Sequence, residues 1–166
     1  SIKADSAQLN TTGALSMGDA TITTGMDVIA IGAATITAGA SVIAGTHDWQ
    51  VASLDMQAGS TLTGDSAISL VTTAGDMTLG QVSLAGNAPG SEILLESAAN
   101  ILANGDAVTN VKGGSEVTAE LAANGSIGTS QQPVVVDVGR LSQADAAQGS
   151  IYLDFAGDAS VGTVSA

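Results

Sequence analysis

Apolar and polar residues alternate along this chain in short bursts. The stretches "ATITTG", "ATITAG", "STLTG", "AISLVTT", "EILLES", "EVTAEL" and "SIYLDFAG" alternate in this way, and most are bounded by Gly, Asn or Asp. A period of two over a few residues marks a strand with one buried face, and Gly, Asn and Asp are residues that let a chain turn. No segment sustains a helical period. The nearest approach is "SQADAAQGS", Ser142 to Ser150, which is short, polar and Gly-terminated and reads as an excursion on a loop. The pattern predicts an all-β chain.

The pattern also repeats. Slid by fourteen positions, Gly18 falls on Gly32, Ala20 on Ala34, Thr21 on Thr35, Ile22 on Ile36 and Val28 on Val42. In the second half, "SLVTTAGDMTLG" lies over "ILLESAANILAN" at an offset of 24 and over "VTAELAANGSIG" at 48. Asp76, Asn100 and Asn124 then share one column, and Ser69, Ile93 and Val117 another. "IYLDFAGDASVG" joins the set with Ile151 beneath Val117 and Asp158 beneath Asn124. Its spacing is 34, so an insertion of about ten residues is expected within 131–149. Self-similarity at such periods is the signature of stacked units.

A stacked coil solves a definite problem. Each strand pairs in parallel with the strand one turn below, so backbone groups are satisfied everywhere except at the two ends. Asp and Asn recurring once per unit fit the turns, because their side chains hydrogen-bond neighbouring amides. Units of about 20 to 24 residues, at about 4.8 Å per coil, give about seven coils and a rod on the order of 35 Å long. The fourteen-residue echo is too short for such a coil. It stands either for one coil with tightened corners or for strands on two faces of one coil.

Composition narrows what fills the coil. Trp49, Tyr152 and Phe155 are the whole aromatic supply, so the interior must be built from Ala, Val, Ile, Leu and Met. Sixteen acidic residues against three basic ones leave a net charge of −13, which excludes the Lys and Arg clusters that nucleic-acid binding needs. Such acidity reads first as a solvated surface, with calcium binding or salt adaptation as the lesser readings. Without Cys there is neither a disulfide framework nor a thiolate metal site. No apolar run approaches the roughly 20 residues that span a bilayer, so no membrane span is expected. "SIKADSAQLN" lacks a basic region followed by an apolar stretch, so any export signal is expected to be removed or to lie outside this chain.

The stretches "GDATITTGMDVIAI", "AISLVTTAGDMTLGQV" and "NGSIGTSQQPVVVDVGRLSQADAAQGSIYL" resemble the irregular repeats of filamentous haemagglutinin and other very large secreted bacterial adhesins, over roughly residues 13 to 166. The resemblance implies a right-handed parallel β-helix that forms part of an exported, cell-surface or extracellular rod. No match to that family's secretion-recognition region is found here. The chain stops at "GDASVGTVSA", inside the recurring pattern, so residues 1–166 are expected to form a single solenoid segment of a longer rod. Its partners would be neighbouring coils of the same or an identical chain, and a host or cell-surface glycan or protein.

Candidate chemistry is sparse. His47, Asp48 and Trp49 in "GTHDWQ" form a set able to stack on and hydrogen-bond a sugar, against the plainer reading of a loop histidine beside a partly buried tryptophan. At the offset of 24, Glu92 would sit beside Glu116 and Glu96 beside Glu120, a stripe that would be solvated or would hold a divalent cation. The Gly-Asp pairs at Asp19, Asp65, Asp76, Asp106 and Asp158 read as turns, since the full glycine-rich calcium repeat is absent. "TIT" at 21–23 and 35–37 and "TLT" at 61–63 are similar to the Thr ranks of solenoid antifreeze proteins, but "SLV", "ILL" and "IYL" replace them later. Lys3, Lys112 and Arg140 lie far apart and His47 is single, so no catalytic constellation or cofactor is expected. The expectation is a structural, adhesin-like rod. Two alternatives stand beside it: a carbohydrate-binding or carbohydrate-cleaving β-helix, and a self-assembling extracellular filament subunit.

Overall fold

A computed structural model describes residues 2–30, 32–105 and 109–166. Every regular element in them is a β-strand. The first turn carries β1 (Ile2–Ala4), β2 (Ala7–Thr11) and β3 (Leu15–Met17), and the second β4 (Ala20–Ile22), β5 (Gly25–Ala30) and β6 (Ala34–Ile36). The third has β7 (Ser41–Ile43), β8 (Thr46–Val51) and β9 (Leu54–Met56), and the fourth β10 (Thr61–Gly64), β11 (Ala67–Thr72) and β12 (Met77–Leu79). The fifth has β13 (Gln81–Leu84), β14 (Glu92–Ser97) and β15 (Ile101–Ala103). The last three carry two strands each: β16 (Val111–Lys112) and β17 (Thr118–Ala123), β18 (Val134–Asp137) and β19 (Arg140–Ala146), β20 (Leu153–Phe155) and β21 (Ser160–Ser165).

These strands stack into three parallel sheets. The first strands of the turns form one eight-stranded sheet, the second strands another, and the third strands a five-stranded sheet. Isolated parallel bridges from Ile101 to Ile127 and from Ile127 to Ile151 carry the third face through turns six and seven. The chain is a β-solenoid of about eight turns, close to the seven that the repeat length predicts.

Alternation is what permits this. In β8 the burial runs exposed, buried, exposed, buried, exposed, buried, and β5, β11 and β14 likewise bury every second residue. In-register pairing then sets like on like: Leu9, Val28, Trp49, Leu70, Leu95 and Leu121 form one interior column on the second face. Ala20, Val42, Leu62, Val82, Val111 and Val136 form another on the first. These columns are the core, and one side chain per strand position fills it, aliphatic in both columns except for Trp49.

Turn residues do what their chemistry suggests at the corners. Gly39 (φ 70°) and Gly59 (φ 71°) occupy the third position of two successive four-residue turns, closed by the Ala40 N–H on Thr37 and the Ser60 N–H on Gln57, both at 3.0 Å. A positive φ is cheap only for glycine. Pro89 and Gly90 (φ 89°) turn the longer loop ahead of β14 in the same way, with the Ser91 N–H on the Ala88 carbonyl at 3.0 Å.

The fourteen-residue echo is a pair of strands on two faces of one coil, since "ATI" is both β4 on the first sheet and β6 on the third within the second turn; the stacking partner of Ala20 is Val42, 22 residues on. Three expectations need correction. Residues 131–149 are no insertion: they carry β18 and β19, both strands of the seventh turn. "SQADAAQGS" accordingly begins in strand, with Leu141, Ala144 and Ala146 buried and a register shift between Ala119 and Glu120 of the facing strand absorbing one extra residue. The extra length sits instead in the fifth turn, where Val82 and its partner Val111 are 29 residues apart. Ile151, for its part, bridges Ile127 and does not lie under Val117.

Candidate functional site

His47, Asp48 and Trp49 lie on β8, in the middle of the second sheet. Alternation turns His47 and Trp49 inward, at 2% and 0% exposure, and leaves Asp48 outside. The two rings meet edge to face with centroids 6.0 Å apart. His47 stacks between Met26 of β5 and Ile68 of β11, and Trp49 between Val28 and Leu70. Both the loop assignment and the sugar-stacking role of these rings are overturned, because neither face is open to a ligand.

The imidazole makes one polar contact, from Nε2 to the carbonyl of Thr63 at 2.9 Å. A carbonyl only accepts, so Nε2 carries the proton and Nδ1 is left as a lone pair. Nδ1, the indole Nε1 of Trp49 and the hydroxyl of Ser60 are buried with no hydrogen-bond partner among the described residues. Burial lowers the His47 pKa below its ordinary 6.5, and the bond to Thr63 opposes this in part.

A second polar constellation runs along the corner between the second and third faces. Oδ1 of Asp76 accepts the backbone N–H of Asn100 at 3.0 Å and its side-chain amide at 2.8 Å. Oδ1 of Asn100 in turn accepts the N–H of Ser126 at 2.8 Å, and Oγ of Ser126 that of Ser150 at 3.1 Å. Four successive turns are thereby tied by side chains. Beneath this ladder the hydroxyls of Thr72 and Ser97 lie 3.0 Å apart, Thr72 donating to the Gly75 carbonyl at 2.7 Å and Ser97 to that of Asn100 at 3.0 Å.

The repeat column thus meets the ladder at Asp76 and Asn100 and then parts from it. The ladder passes through Ser126, 26 residues after Asn100, while Asn124 accepts from the Gln148 amide at 3.2 Å. Asp158 is exposed between β20 and β21. Of the other Gly-Asp pairs, Asp19 accepts the Ser41 N–H at 2.9 Å across a turn, Asp65 sits at a corner with its N–H on the Gly45 carbonyl at 2.9 Å, and Asp106 lies outside the described residues. Ser126 and Ser150 escaped the sequence reading because Ser in a Ser-rich chain carries no distinctive signal.

The paired-glutamate stripe is also corrected. β14 and β17 pair at an offset of 26, two more than the period assumed, so Glu92 faces Thr118, Glu96 faces Ala122 and Glu120 faces Leu94. Glu116 precedes the strand, its N–H held by Asn87 at 2.8 Å. Among the described residues no group of three or more His, Asp or Glu side chains is placed to hold a metal ion.

One cleft of about 250 Å³ opens at the corner between the third and first faces, lined by Asn104, Asn110, Gln132, Pro133 and Val135 among others. Its asparagines are spent on the backbone. Asn104 donates to Met56 at 2.7 Å, and Asn110 donates to Leu79 and Gly80 at 3.2 and 3.1 Å while accepting the Val135 N–H at 3.0 Å. They brace the corner.

Compared with protein-family models, with curated proteins and with solved structures, the chain matches none. Among the described residues no helix is long and apolar enough to cross a membrane.

Proposed function

We propose that this chain is a structural section of an adhesin-like rod, secreted or displayed on a cell surface, whose work is to extend and present binding regions. The supporting observation is the continuity of the stack. Two sheets run through all eight turns, and the Asp76–Asn100–Ser126–Ser150 ladder adds side-chain bonds along four of them. Each turn bonds to its neighbours through parallel strands, so length grows with coil number at about 4.8 Å per turn. The reading assigns the chain no catalytic role and no cofactor, and it leaves the right-handed coil as an inference from the adhesin resemblance. Small-angle scattering together with a glycan array tests it. An elongated particle about 40 Å long without glycan binding is expected. A glycan bound tightly, and lost on a surface substitution that preserves the fold, would make the chain a binding module instead.

The second reading, a self-assembling filament subunit, is favoured by one feature of the outer turns. In the eighth turn Phe155, Val161 and Val164 continue the interior columns yet are 37%, 48% and 53% exposed. A copy stacked in continued register would cover these side chains. Particle length rising with concentration, and suppressed by Val161→Lys, supports assembly. A length that stays constant over the accessible range removes it.

A further inference from the structure

The only histidine of the chain is sealed in the core at the junction of the third and fourth turns. Its Nε2–H is donated across that junction, from β8 of the third turn to Thr63 in β10 of the fourth. The Thr63 carbonyl also accepts the Ala44 N–H at 3.0 Å, so it is already committed as a strand-to-strand acceptor. The other ring nitrogen, Nδ1, is buried without a hydrogen-bond partner among the described residues.

What surrounds the ring decides how it meets a proton. Met26 from β5, Ile68 from β11 and the Trp49 edge are its neighbours, and none carries charge. The carboxylates on the elements packed around it, Asp27 on β5, Asp48 on β8, Asp55 on β9 and Asp65 after β10, are all exposed. The three basic side chains, Lys3, Lys112 and Arg140, lie on β1, β16 and β19. A protonated imidazole here would have a buried N–H with no acceptor and a charge with no counter-ion, and both are costly in a low-dielectric interior.

We propose that His47 makes the junction between the third and fourth turns acid-labile, so that the rod behaves as one cooperative stack near neutrality and loosens at this junction on acidification. A solenoid is held turn to turn, so weakening one junction divides it into sections that melt separately. The device is independent of whatever the rod displays.

The sign follows from linkage. Burial holds the folded-state pKa of His47 below the ordinary 6.5, so the unfolded or opened chain binds the proton more readily. The stabilisation is complete above about pH 6.5, declines as pH falls below it, and is gone once pH passes the lowered folded value. The unfolding constant rises by at most tenfold per pH unit, the limit for one proton.

Urea melts of the wild type and of His47→Gln, followed by Trp49 emission and by far-ultraviolet circular dichroism from pH 7.5 to 5, test this. Trp49 is the sole tryptophan and lies against the imidazole, so its emission reports this junction. The expected result is a midpoint that falls with pH in the wild type, with the Trp49 transition preceding the dichroism transition, and a flatter pH dependence in His47→Gln, which keeps every carboxylate. An equal fall in both proteins, or no fall in the wild type, overturns the proposal. If His47→Gln does not fold, the His47 ring-proton titration followed by NMR in the wild type decides. A midpoint below 6.5 that coincides with broadening of resonances from β8 and β10 supports acid lability, and a midpoint at or above 6.5 overturns it.

Discussion

One oxygen of Asp76 receives two hydrogen bonds from Asn100, 24 residues further on: the backbone N–H at 3.0 Å and the side-chain amide at 2.8 Å. The aspartate thereby aligns the next turn before the strands of the third face begin, and Asn100 repeats the act on Ser126. Asn100→Ala removes a donor and an acceptor at once and leaves the partly buried Asp76 carboxylate with fewer donors. A loss of about 1–3 kcal/mol is expected, read from urea midpoints. Asn100→Asp should be worse than Asn100→Ala at neutral pH, because it sets a second carboxylate against Asp76.

Asp27 and Asp48 face each other in register on the outer surface of β5 and β8. Like charges directly opposite are destabilising, so Asp48→Asn should raise stability by about 0.2–1 kcal/mol. Added salt should raise the wild type more than the variant, because it screens the same repulsion. Equal responses would show that the carboxylates avoid each other by rotation.

Gly45 and Gly39 separate two reasons for glycine. A Cβ on Gly45 would collide with the backbone carbonyl of Thr24, one turn away, whereas a Cβ on Gly39 meets open space but the residue has φ 70°. Gly39→Ala should cost about 1–2 kcal/mol, the strain of a left-handed residue. Gly45→Ala should cost more, since two turns must move apart at that corner, and circular dichroism melts of the pair rank them directly.

Trp49 is wholly buried between Val28 and Leu70. Its emission should be blue-shifted and insensitive to acrylamide in the folded chain. Trp49→Ala should cost about 3–5 kcal/mol, with the damage local to turns two to four. Glycan binding by the folded wild type that Trp49→Phe abolished would contradict the interior placement.

The strands were legible because their physics is local. The alternation in "AISLVTT" and "EILLES" reports a half-buried face wherever the segment sits, and β11 and β14 follow it residue for residue. Asp76 and Asn100 were legible as a pair because the third face keeps a period of 24 between Met77 and Ile101. The period then lengthens to 26 from Ile101 to Ile127, which moved the ladder from Asn124 to Ser126 and unpaired the glutamates. A fixed offset cannot follow corners of unequal length.

That the chain is all-β, coiled and largely filled by aliphatics follows from single segments, through period-two alternation, turn residues and the scarcity of rings. Which segments stack follows from the folded chain alone. It placed "ATI" on two different faces, turned residues 131–149 into rungs, and drew His47 and Trp49 from an expected loop into the core. Register is set jointly by backbone pairing and by inward columns that must match in size across a turn, and those partners lie about 20 residues or more apart, beyond the reach of any local pattern.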